Sequence, residues 1–157
     1  MSYHTWINGE EIFGNNEYYD EWIDFIKSKG IEVDEDGCYE GEINDVQGIF
    51  ETVDKITRRL IDERHKEVEK GEKNFRGEPL RELTDFSNYM WLDDKTPILM
   101  FNEQVINHAY CFYPWQVYQA VLDKIERVSG LYEKDGIDWT FFTYKIKDNE
   151  TIKVCGG

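Results

Sequence analysis

The chain has 157 residues, of which 33 are acidic and 18 basic, for a formal net charge of −15 at neutral pH. One domain of this length buries a real core, and an aromatic content of 15% sets it apart from disordered acidic tails, which are poor in aromatics. The charge opposes binding to nucleic acid or anionic lipid, and no apolar run approaches the ~20 residues of a membrane helix.

Residues 2–7 alternate loosely and include Tyr3, Thr5 and Trp6, a strand pattern; Asn8-Gly9 then tolerates the positive φ of a turn. Asn15-Asn16 offers a cap for a helix over 17–29. Its apolar residues Tyr18, Tyr19, Trp22, Phe25 and Ile26 recur at three- and four-residue spacing, and Gly30 closes it. Residues 31–34 and 38–43 read as two strands of a hairpin around Asp36-Gly37. Asn44 caps the longest helix, about 45–70, whose stripe runs through Val46, Ile49, Val53, Ile56 and Leu60. Gly71 and Gly77 bracket a loop, and Pro79 opens a helix over about 80–91. Residues 97–101 and 106–113 read as strands. Pro114 starts a helix carrying Val117, Val121, Ile125 and Val128 that ends at Gly130, and 137–146 and 151–155 are strands around Asp148-Asn149.

These elements predict an α+β fold: an antiparallel sheet of short strands with about four helices packed on one face. The first strand, the 97–113 hairpin and the last hairpin are expected to share that sheet. Residues 1–157 read as one domain. The first six residues have neither the basic start nor the apolar stretch of a secretory signal, and Cys38, Cys111 and Cys155 are too few and too widely spaced for a disulfide framework. Both points predict a cytoplasmic protein with reduced thiols.

Charge is the least even property. Residues 10–54 hold 15 acids against Lys27 and Lys29, a balance of −13, whereas 55–157 hold 18 acids and 16 bases. Acidity for solubility alone does not require such clustering, which adds self-repulsion to the folded state.

Chemical motifs are few. There is no phosphate-binding glycine loop and no G-x-S-x-G, and the histidines are His4, His65 and His108. Cys111 lies three residues from His108, so in an extended segment the two face opposite ways; as a zinc motif the pair is a lone half-site. Glu32, Asp34, Asp36 and Gly37 match positions 1, 3, 5 and 6 of a calcium-binding loop, but position 12 is Ile43 where a bidentate carboxylate is needed. An acidic β-turn accounts for the same residues. No catalytic group, metal or cofactor is expected.

Tyr3-His4-Thr5-Trp6, the 97–113 segment leading into Tyr113-Pro114-Trp115, and Gly156-Gly157 together resemble small acidic proteins of phages and mobile elements of low-GC Gram-positive bacteria. Some of these are anti-CRISPR or other anti-defence inhibitors. The resemblance implies a non-enzymatic inhibitor that binds a basic nucleic-acid-processing protein of the host, a CRISPR nuclease such as Cas9, and blocks DNA binding or cleavage. The uneven charge independently suggests an acidic surface that mimics a nucleic-acid backbone. The candidate partner-binding residues are Glu10, Glu11, Glu17, Asp20, Glu21, Asp24, Asp34, Glu35, Asp36, Glu40 and Glu42, with Tyr18, Tyr19, Trp22 and Tyr39 as aromatic anchors or core. The alternatives are a small-molecule or metal-binding module, such as a sponge for a defence messenger, and a small hydrolase using Cys111 or an unplaced carboxylate.

Overall fold

The computed structural model describes residues 3–12, 18–80, 113–134 and 136–157. In chain order these form β1 (Thr5–Ile7), β2 (Glu10–Glu11), α1 (Asp20–Ser28), β3 (Tyr39–Ile43), α2 (Val46–Glu69), α3 (Tyr113–Val121), a 3-10 turn (Leu122–Lys124), β4 (Ile125–Lys134), β5 (Ile137–Ile146) and β6 (Ile152–Gly156). The fold is α+β with antiparallel pairing in both sheets, and the described residues hold three α-helices where about four were expected. The helix expected over 80–91, the strands expected over 97–113, and Asn15-Asn16 lie outside the described residues.

The described residues form two sheets. The larger has the order β2-β1-β6-β3, so the last strand lies between the first and the third; the smaller is the β4–β5 ribbon. The expectation that the first and last strands share a sheet is met by β1 and β6. β5, by contrast, pairs with β4 in the separate ribbon.

Alternation fixes which face of the larger sheet is buried. Ile7, Tyr39, Ile43, Ile152 and Val154 point inward, while Glu40, Glu42 and Lys153 point out. The register sets Glu11 opposite Trp6, Trp6 opposite Cys155, and Cys155 opposite Glu40, so one row crosses all four strands on the outward face. At the end of β6, Gly156 is required by close approach, because an added Cβ would fall 2.5 Å from the Tyr39 ring.

α1 and α2 lie antiparallel. Arg59, midway along α2, donates to Glu21 at the start of α1 (2.9 Å), and Lys29 at the end of α1 donates to Asp45 at the start of α2 (2.6 Å). Their facing stripes supply the largest share of the described core: Trp22, Ile23 and Ile26 from α1, and Ile49, Phe50, Val53 and Ile56 from α2, joined by Val117 and Val121 of α3. Each such side chain contributes about 1.5–3 kcal/mol on burial.

α2 begins one residue later than the Asn44 cap predicts. Asp45 is the N-cap and accepts from the Gly48 N–H at 2.9 Å. Its C-terminus is a Schellman motif: the Gly71 N–H bonds Val68 O and the Glu72 N–H bonds Glu67 O, with Gly71 at φ +74°.

Two expected elements are corrected. Residues 31–34 form no strand beside 38–43; the Asp34 N–H bonds Cys38 O at 3.0 Å, and the Asp34 side chain accepts from the backbone N–H groups of Asp36 and Cys38, both at 2.9 Å, to close a tight turn. β3 is therefore left to pair with β6. The helix after Pro114 stops at Val121, and Ile125 and Val128, expected on its apolar face, belong to β4. Gly130, expected to end that helix, lies inside β4.

Candidate partner-binding surface

The sequence places its acids in one third of the chain, and the fold gives them different duties. Several hold the structure. Glu21 receives the Arg59 guanidinium through both oxygens, at 2.9 and 3.1 Å. Those hydrogen bonds, with Glu63 adding a further one at 3.0 Å, raise the Arg59 pKa further against the smaller opposing effect of burial. Asp34 closes the 34–38 turn. Glu11 accepts from His4 Nδ1 at 2.5 Å, and His4 in turn stacks on Trp6. Outside the eleven candidates, Asp45 caps α2 and Asp54 is a buried carboxylate paired with Arg58 at 2.8 Å.

The rest are exposed, and two contacts bring a group of them together. Tyr18 precedes α1 and its ring meets Tyr3 edge-on at 5.0 Å. The rings of Tyr3 and Tyr18 also close over Gly37, where an added Cβ would lie 3.2 and 3.5 Å from them. Gly37 (φ +85°) thus lets the acidic turn 34–37 seat against the start of α1. Asp20 and Asp24, on the first turns of α1, act on the Tyr18 phenol, and Glu35 and Asp36 precede Gly37 in the turn packed against its ring, whereas Glu40 points to the other, outward face of the sheet. Tyr18, where the two segments meet, is 43% exposed. Partial burial, then the fields of Asp20, Tyr3 and Asp24, push its phenol above its ordinary pKa.

The other candidates fall elsewhere. Glu10 pairs with Ile7 at the far end of β1, and Glu42 sits directly across from Lys153, an opposite-charge pair within the sheet. Glu17 lies outside the described residues, as do His108 and Cys111. Of the aromatic anchors, Tyr19, Trp22 and Tyr39 are core. The Trp22 indole N–H donates to the Tyr39 hydroxyl at 2.6 Å, and burial pushes that phenol upward against the opposing effect of this bond.

Comparison of the chain with protein-family models, with curated proteins and with solved structures finds no match. The geometry therefore carries the functional reading.

Among the described residues, no group of three or more His, Cys, Asp or Glu side chains is placed to hold a metal ion. Cys38 and Cys155 are free thiols. Among the described residues no helix is long and apolar enough to cross a membrane. A polar groove of about 510 Å³ runs between the β1–β2 turn and α3. Glu10, Glu11, Gln116, Gln119, Asp123 and Lys124 line it, and Asn8 Nδ2 bridges it to Ala120 O at 3.0 Å.

Missing from the sequence reading is the hairpin that follows α2. It brings Lys73 opposite Pro79 and holds Phe75 in solvent at 92% exposure. The signal was present in Asn74-Phe75-Arg76-Gly77, a turn sequence with an aromatic at its tip.

Proposed function

We propose that the protein is a non-enzymatic inhibitor encoded by a phage or mobile element. It binds a basic nucleic-acid-processing protein of the host, with a CRISPR nuclease such as Cas9 as the case the sequence resemblance implies, and blocks DNA binding or cleavage. The observation that supports this reading is the meeting of two exposed acidic segments at the half-exposed Tyr18: the start of α1 with Asp20 and Asp24, and the turn with Glu35 and Asp36 that packs on the Tyr18 ring through Gly37.

A run of exposed carboxylates offers a basic channel the charge that a stretch of phosphates would. Each carboxylate–lysine contact is worth about 1 kcal/mol at 4 Å in bulk water and about 4 kcal/mol at the lower dielectric of a protein surface, so closing an interface over them strengthens every pair. Tyr18 adds a rigid aromatic with two rotatable bonds, the residue type that dominates binding hot spots. Steering by the −15 field speeds encounter with a positive partner.

The test is inhibition of DNA cleavage by Cas9 from a low-GC Gram-positive host. Reversing Asp20, Asp24, Glu35 and Asp36 to Lys is expected to weaken inhibition far more than reversing Asp62, Glu69, Asp123 and Asp148. Equal losses from the two sets would remove the reading.

The polar groove beside β2 favours a second reading, a module that sequesters a small molecule. A nucleotide or calcium that binds there would raise the thermal midpoint by mass action, and no shift with either would count against it.

A further inference from the structure

Phe75 is the most exposed large apolar side chain among the described residues, and its setting is not that of a floppy loop. The Schellman motif at Gly71 fixes how the chain leaves α2. The Asn74 N–H then bonds Glu78 O at 2.9 Å, the Gly77 N–H bonds Asn74 O at 3.0 Å, and the Leu80 N–H bonds Glu72 O at 3.2 Å. The Asn74 side chain accepts from the Arg76 and Glu78 N–H groups at 2.9 and 3.0 Å. Gly77, at φ +78°, takes the left-handed position this turn requires. With its backbone groups satisfied internally, the tip holds Phe75 outward in one arrangement, and little ordering entropy is left to lose on binding. The Arg76 guanidinium lies 5.2 Å from the Phe75 ring centre.

The tip also has a defined place. Arg59 marks the level of the acidic group, because it touches both Tyr19 and Glu21 at the start of α1. From Arg59 to Glu69 the helix rises about 15 Å, at ~1.5 Å per residue, and the hairpin leaves from its C-terminal end. The root of the Phe75 hairpin and the start of α1, with Asp20 and Asp24, therefore lie toward the same end of the α1–α2 pair. Their charges differ: residues 55–80 carry eight bases and six acids, in contrast to the acidic third.

We infer that the Phe75 hairpin is a second docking element, which inserts Phe75 into an apolar pocket of a partner protein while Arg76 pairs with a carboxylate at the pocket rim. The inference rests on the reading that this protein binds a host protein, and it adds a contact of opposite chemistry to the acidic one. The partner it fits has a basic surface and, apart from it, an apolar socket edged by Asp or Glu. An aromatic inserted in a desolvated pocket beside an arginine is the common composition of an interface hot spot. A nucleobase is the other stacking partner for a Phe–Arg pair, but the −15 charge of the molecule opposes nucleic acid.

The experiment places the photo-reactive residue p-benzoylphenylalanine at position 75 of the full chain and irradiates it in clarified lysate of a low-GC Gram-positive host. Leu122, exposed in the 3-10 turn outside the hairpin, is the control position. The expected result is one adduct specific to position 75, unaffected by nuclease, with its cross-link mapping to an apolar pocket bearing a carboxylate. Excess unlabelled protein should compete it away, and Phe75→Ala should compete about 30-fold less well. An adduct at twice the mass of the chain, a nuclease-sensitive adduct, or equal competition by Phe75→Ala would overturn the inference. So would a fall of several degrees in the thermal midpoint of Phe75→Ala, which would make Phe75 a packing residue. If the protein with Asp20, Asp24, Glu35 and Asp36 reversed still competes fully, the acidic reading fails and the Phe75 contact stands.

Discussion

Asp45 separates the acids that hold this fold from those that face solvent, and replacing it gives a prediction with a worked magnitude. Its carboxylate does two things. One oxygen caps α2 through the Gly48 N–H, and the other meets Lys29 Nζ at 2.6 Å. Loss of an N-cap costs about 1 kcal/mol. The ion pair is about a third exposed on each side, so its worth is about 0.5 kcal/mol after solvent screening. Asp45→Ala is therefore expected to cost about 1.5 kcal/mol, which lowers the thermal midpoint by about 3–6 °C in a chain of this length. Asp45→Asn keeps the cap and loses only the pair, at about 0.5 kcal/mol.

The pH dependence follows with a definite sign. Burial works against the Asp45 carboxylate, but Lys29 and the Gly48 N–H outweigh it and hold its pKa below the usual value. A depressed pKa contributes stability that is present above the unfolded pKa, about 4, and is lost as pH falls through the folded one. The gap between wild type and Asp45→Ala should narrow when thermal unfolding, followed by circular dichroism, is moved from pH 7 to pH 3. A loss below 0.5 kcal/mol for Asp45→Ala, an equal loss for Asp45→Asn, or a gap that does not change with pH would refute the reasoning.

Two further predictions test the packing around the same core. Gly→Ala inside a helix ordinarily gains about 1 kcal/mol, but at Gly48 the new Cβ would overlap the Asp45 carboxylate and lie 2.9 Å from the Phe25 ring, so Gly48→Ala should lower stability in denaturant unfolding. Tyr39→Phe removes the hydroxyl that accepts from the Trp22 indole N–H and should cost about 1 kcal/mol, read from the same unfolding curves.

What the sequence made legible was local. α2 was readable because Val46, Ile49, Val53 and Ile56 repeat at helical spacing and all four are buried. Its cap was misplaced by one residue because Asn44 and Asp45 are both good caps, and only the Gly48 geometry chooses between them. The turn at Asp148-Asn149 was readable from the tolerance of Asn149 for its φ of +65°. Partner choice was not legible. Residues 38–43 were read correctly as a strand, but β6 takes the place beside them that 31–34 was expected to fill, and that pairing joins residues more than a hundred positions apart. Val117, Val121, Ile125 and Val128 keep helical spacing across a real break, because Ile125 and Val128 answer to β5 rather than to their own neighbours. For the candidate surface, the sequence supplied the charge but not its arrangement. Glu11, Glu21 and Asp34 look like Asp20, Asp24 and Asp36 until His4, Arg59 and the 34–38 turn claim the first three.

The central claim is that the acids around Tyr18 meet a positive partner. The most direct measurement is the affinity for Cas9 across a salt series, for wild type and for a variant with Asp20, Asp24, Glu35 and Asp36 made neutral as Asn or Gln. Wild-type affinity is expected to fall steeply as salt shortens the screening length from about 10 Å toward 3 Å, and the neutral variant to bind weakly with a much shallower slope. Equal slopes for the two proteins, or an affinity for wild type that does not respond to salt, would contradict it.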